Sequence, residues 1–74
     1  MNTKELFGKR VLDVNANKIG RVADMDFSIQ KGVINSIVVK AGFTKKYHVS
    51  LDKIGKIGDE IMLKISKGEL GSKL

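Results

Sequence analysis

Seventy-four residues accommodate one small domain, and 42% hydrophobic with 30% charged residues describe a folded globule rather than a disordered chain. Fourteen basic against eight acidic residues leave +6, which favours an anionic partner such as RNA, DNA or a lipid surface. The absence of cysteine excludes disulfides and thiolate metal sites, and no apolar run approaches the ~20 residues of a transmembrane helix.

Valine and isoleucine number fifteen against nine for leucine and alanine, a balance that suits pleated surfaces, and with no proline the chain must turn on Gly and Asn. Thr3 is in place to cap one helical turn that carries Leu6 and Phe7 to the core. Arg10 to Val14 reads as a strand, and Asn15-Ala16-Asn17-Lys18 reverses it. From Gly20 to Ile29 the period is two, with Ala23, Met25, Phe27 and Ile29 on one face and Asp24, Asp26 and Ser28 on the other. Gln30-Lys31-Gly32 closes a hairpin into the strongest strand, Val33 to Lys40, where Val33, Ile37 and Val39 point inward. A polar loop around Gly42 precedes a fourth strand, Lys46 to Leu51, with Tyr47, Val49 and Leu51 on one face. Ser50 takes the cap position of a single helical turn, Gly55 and Gly58 punctuate, and Glu60 to Ile65 alternates again. The predicted fold is all-β: a small, partly open antiparallel β-barrel of about six strands with one short helical turn. A single domain is predicted over residues 1–65, with a flexible C-terminal tail over 66–74.

Several patterns imitate chemistry and fail on inspection. Asp13-x-Asn15-x-Asn17 resembles the opening of a calcium loop, but Lys18 stands where the sharp turn needs Gly. Asp24 and Asp26 share a strand face with no third ligand or base nearby. His48, the single histidine, has no nucleophile spaced for it among Ser28, Ser36, Thr44 and Ser50. Gly55-Lys56-Ile57-Gly58 fits a backbone clamp that joins two helices, which this context lacks. Lys18 to Asp24 recurs by class in Lys53 to Asp59, a reused turn-into-strand signal. Ser72-Lys73-Leu74 spells the peroxisomal address, three letters that arise easily by chance. No catalytic residue, cofactor or metal ligand is assigned.

Taken together, Phe7-Gly8-Lys9-Arg10-Val11-Leu12-Asp13, Asn17-Lys18-Ile19-Gly20-Arg21-Val22-Ala23-Asp24 and Gly32-Val33-Ile34-Asn35-Ser36-Ile37-Val38-Val39 resemble the PRC-barrel family in order and spacing. Val49-Ser50-Leu51 and Ile57-Gly58-Asp59-Glu60-Ile61 continue the likeness, which spans residues ~6 to 65. Asn17 stands where the family commonly has glycine, a change that the left-handed tolerance of asparagine absorbs. The resemblance implies a six-stranded, partly open barrel without catalytic residues. It also implies an adaptor, as in the cytoplasmic part of the photosynthetic reaction-centre H subunit and the C-terminal half of the ribosome maturation factor, which docks on a ribosomal protein. Stand-alone copies of this length are commonest in archaea, where similar proteins are linked to the SepF-type anchor of the cell-division ring.

The expected function is therefore a non-catalytic protein-interaction module acting as a homodimer or homo-oligomer. The alternative is a ribosome- or RNA-associated binder, favoured by the charge. A chain this small buries little surface by itself and gains from self-association. Phe43 and Tyr47, set among Lys45, Lys46 and His48, are the candidate partner-binding residues: an apolar anchor with basic flanks. Met1 to Glu5 lacks the apolar core of a signal peptide, so a cytoplasmic location is expected, with recruitment to a membrane or division site through a partner.

Overall fold

A computed structural model describes residues 2–71, in which two short helices accompany one six-stranded sheet. Helix α1 (Thr3–Leu6) precedes β1 (Arg10–Leu12), which pairs antiparallel with β2 (Lys18–Ser28). The meander continues through β3 (Val33–Ala41) and β4 (Lys45–Ser50). A 3-10 turn, Leu51–Lys53, leads into β5 (Ile54–Ile57), then β6 (Ile61–Leu63) and helix α2 (Lys67–Gly71).

Across the sheet the order is β4-β3-β2-β1-β6-β5, so the expected all-β, partly open architecture is present with β4 and β5 as its edges. One junction departs from the antiparallel expectation. β1 and β6 run parallel, with Val11 opposite Ile61 and Leu12 opposite Met62. The 3-10 turn carries the chain across the open side to the far edge, and the β5–β6 hairpin then brings β6 back beside β1 in the same direction. The segment Ile54–Ile57, expected only as glycine punctuation, is thus a strand.

Val11, Ile37, Val39, Val49 and Ile61 are the most enclosed core side chains, and Leu6 and Leu70 join them from the two helices. The phase of β2 differs from the simple alternation expected. Its register with β3 slips between Val22 and Asp24, leaving Ala23 as the extra residue of a β-bulge. A bulge shifts the inner face by one residue, so Val22 and then Met25 point to the core and Ala23 is exposed. Phe27 (60% exposed), Ile29 and Val33 lie past the core at the β2–β3 hairpin instead of within it. Leu51 leaves its strand for the 3-10 turn and is also exposed. Just upstream of the bulge, Gly20 packs so tightly that a Cβ there would lie 2.2 Å from the Lys40 carbonyl oxygen.

The two ends of the described segment carry more regular structure than expected. Asn2, rather than Thr3, caps α1: its Oδ1 accepts the Glu5 N–H at 2.9 Å. Leu6 is buried, but Phe7 is exposed. The predicted flexible tail begins with Ser66, whose N–H donates to Glu69 Oε1 at 3.2 Å while the Glu69 N–H donates to Ser66 Oγ at 3.4 Å. That reciprocal pair is a capping box, and it starts α2, which buries Leu70. Residues 66–70 are therefore part of the folded domain. Ser50 takes the cap position of the 3-10 turn as expected, but its hydroxyl donates to Asp52 Oδ1 at 2.5 Å and makes no cap bond. Ser72, Lys73 and Leu74 lie outside the described residues.

Candidate interaction surfaces

The β3–β4 hairpin turns on Gly42, whose φ of +68° lies in the left-handed region. Phe43 follows at the tip and is 98% exposed, with Lys45 and Lys46 exposed beside it. Side chains alternate along β4, so Lys45 shares a face with Tyr47, which packs against the core, and Lys46 shares the outer face with His48. His48 stands one row further along that face, where its Nδ1 is 3.3 Å from Asp26 Oδ2. Phe43 and the lysines gather at the hairpin end, whereas Tyr47 is drawn to the core and His48 is engaged by Asp26.

Strand register brings other cations to the same place. Arg21 of β2 lies opposite Lys40 of β3, which lies opposite Lys46 of β4. Directly opposed residues share a sheet face, so three positive charges stand in a row across three strands with no carboxylate between them. The Arg21 Nη1 donates to the Gly8 carbonyl at 2.8 Å, which fixes the guanidinium at the rim. Beside the row lies a groove of about 590 Å³ lined by Lys18, Gly20, Arg21, Lys40, Gly42 and Phe43 among others. Within it the Gly20–Lys40 approach leaves no room for a side chain at Gly20.

The next rows of the outer face are acidic. Asp24 lies opposite Val38, which lies opposite His48, and Asp26 lies opposite Ser36. Ser36 Oγ donates to Asp26 Oδ2 at 3.0 Å, the same oxygen that meets His48. Ser, His and Asp thus converge, but the hydroxyl proton goes to the carboxylate. Nucleophilic activation needs the hydroxyl to face the imidazole.

Asp13, the opening residue of the calcium-like run, is 1% exposed. Its Oδ1 accepts the Asn15 and Asn17 N–H groups at 2.8 Å each, and its Oδ2 accepts the Lys67 N–H at 2.8 Å. Those oxygens point at donors, the reverse of what a cation requires. Burial pushes the Asp13 carboxyl up, but the N–H groups of Asn17, Lys67 and Asn15 outweigh it and hold the pKa below the ordinary value. The turn they enclose puts Ala16, not Asn17, in the left-handed region at φ +65°. Among the described residues no three His, Asp or Glu side chains converge as a metal site would need.

A second groove opens further along β2 and β3, where Met25 and Ile37 stand three residues from Val22 and Lys40 of the first, about 10 Å by the strand rise. It has a volume of about 270 Å³ and is lined by Leu6, Met25, Ile34, Leu51, Ile54 and Ile57 among others. Ile34, Leu51 and Ile57 are exposed, with Phe27 and Val33 at the neighbouring hairpin. The edge strand β5 contributes Ile54 and Ile57 to it.

The family model of the PRC-barrel domain matches residues 1–70. The chain belongs to the PRC-barrel family. No curated protein matches it. The PRC-barrel match runs through Leu70, in accord with the capping box and with the burial of that leucine in the barrel. Among the described residues of this PRC-barrel no helix is long and apolar enough to cross a membrane.

Arg21, Lys40 and Lys18 are the surface residues that sequence reasoning passed over. Each is an isolated basic residue in the chain, and only the pairing of β2 with β3 aligns Arg21 with Lys40. The capping box, by contrast, is written in Ser66-x-x-Glu69 and was readable.

Proposed function

We propose that this PRC-barrel is a non-catalytic protein-interaction module that works as a homodimer. The observation that carries the reading is the apolar groove at the β5 edge, where Ile34, Leu51 and Ile57 lie exposed around a nearly all-apolar lining. Contiguous apolar surface of this kind marks interaction sites, and β5 offers unpaired backbone groups beside it. The other edge suits self-pairing less, because β4 presents Lys45 and Lys46 and two copies would repel. The groove's occupant in this reading is a second copy. Sedimentation equilibrium at micromolar concentration is expected to give a dimer that Ile57→Glu converts to monomer; the 8.1 kDa monomer mass throughout that range ends the reading.

The dimer would leave the basic end of each barrel free for another protein. A SepF-type division-ring anchor enters as a candidate partner by family resemblance alone, and recruitment to a membrane or division site would follow from such a partner in the cytoplasm. A second reading, a ribosome- or RNA-associated binder, draws support from the +6 charge and the Arg21–Lys40–Lys46 row. It requires binding that persists at physiological salt and depends on those three residues.

A further inference from the structure

The row Arg21–Lys40–Lys46 is an anomaly of the fold itself. Like charges placed directly opposite across strands destabilise a sheet, and here two such pairs share the central lysine. Arg10 of β1 extends the row opposite Arg21, and Glu60 pairs with that end of it. Among the described residues the ion pairs leave Arg21, Lys40 and Lys46 without a carboxylate partner. An arrangement that opposes folding but lines a groove has its natural complement in an anion outside the chain.

We propose that this groove receives an extended acidic segment of a partner protein, with carboxylates against the Arg21–Lys40–Lys46 row and an apolar side chain against Phe43. This deepens the adaptor reading and rests on it. Two features favour a peptide over a nucleic acid. Phe43 and Phe7, the latter next to the lining residue Gly8, are the exposed rings near this groove, and Tyr47 is packed on the core, so the described residues offer no succession of rings on which a nucleic-acid strand could stack. Asp24 and Asp26 occupy the adjoining rows of the same face and set a negative border beside the basic row, which disfavours a long polyanion.

The test uses the full chain at physiological salt. Fluorescence anisotropy follows binding of a labelled peptide of glutamates interrupted by leucines, of its glutamine counterpart, and of a single-stranded oligonucleotide of equal charge. Saturable binding of the acidic peptide but not of the glutamine peptide is expected. Lys40→Glu and Phe43→Ala are each expected to weaken it about tenfold or more, while Lys56→Glu on β5, with the same change in net charge, leaves it within about twofold. Lys40→Glu is further expected to raise the melting temperature, because it replaces two repulsive pairs by two attractive ones; a merely structural lysine would not combine gained stability with lost binding. Absence of saturable binding up to millimolar peptide overturns the proposal. So do an equal loss in Lys56→Glu, a lowered melting temperature in Lys40→Glu, and tighter binding of the oligonucleotide that survives Phe43→Ala. Light scattering on the same samples reads the dimer independently, so the failure of one reading leaves the other standing.

Discussion

At the scale of single residues, two positions link local chemistry to the stability of the fold. Asp13 ties the β1–β2 turn to the start of α2 through three backbone N–H groups, and its pKa is lowered in consequence. A carboxyl with a depressed folded-state pKa stabilises the native state fully above the ordinary aspartate range of about 3.9, and that contribution is lost as pH falls through the lowered folded value. Urea midpoints measured at about pH 7 and about pH 3 are expected to fall with acid in the native chain and to fall less in Asp13→Asn, which is already the less stable protein at neutral pH because an amide offers one acceptor oxygen where two are used. Identical pH slopes for the two proteins would remove Asp13 from this role. Gly20 answers to sterics instead. Its missing Cβ is replaced in space by the Lys40 carbonyl, a backbone atom that cannot swing aside, so Gly20→Ala is expected to cost about 2–3 kcal/mol in chemical denaturation. A cost below about 0.5 kcal/mol would show that β2 and β3 slide apart freely.

At the scale of elements, α2 is the instructive case. It has only five residues, far below the length at which a helix stands alone in water, and it is held by its capping box, by Asp13 and by the burial of Leu70. Leu70→Ala is expected to destabilise the domain by about 2 kcal/mol, with hydrogen exchange accelerated first in α2 and in the Asp13 turn; an unchanged exchange pattern would mean that the helix merely rests on the surface. The strands with strong period-two patterns, β3 and β4, were legible in the sequence because burial of one face dictates alternation there. β2 was legible as a strand but not in its phase, since the bulge at Ala23 depends on pairing with β3 and leaves no local mark. β5 was hidden for a related reason: Ile54-Gly55-Lys56-Ile57 is short and glycine-bearing, and its strand character comes from pairing with β6. The candidate surface was half legible. Phe43 and the two lysines follow from a polar loop with an aromatic tip, whereas Tyr47 and His48 were placed with them by proximity along the chain, which alternation overrides for Tyr47 and the contact with Asp26, distant in sequence, overrides for His48.

At the scale of the whole molecule, the two grooves lie toward opposite ends of one long β2–β3 ribbon, one apolar and one cationic. Chemistry so unlike at the two ends is what the proposed pairing with a like copy and an unlike partner requires. If the apolar end pairs copies, melting temperature must rise with protein concentration, as it does whenever association is linked to folding. Differential scanning calorimetry over a hundredfold range of concentration is expected to show that rise, and a constant melting temperature would separate the apolar groove from assembly. The parallel β1–β6 junction carries a consequence of another kind, for the time course of synthesis. Val11 must wait for Ile61, and closing a loop of about fifty residues costs about 3–4 kcal/mol in chain entropy before any packing is gained. The β2–β3–β4 meander, being local, can assemble on a nascent chain. β1 stays without its parallel neighbour until β6 has cleared the ribosomal tunnel, so this junction of the barrel closes only after β2 to β5 have all emerged.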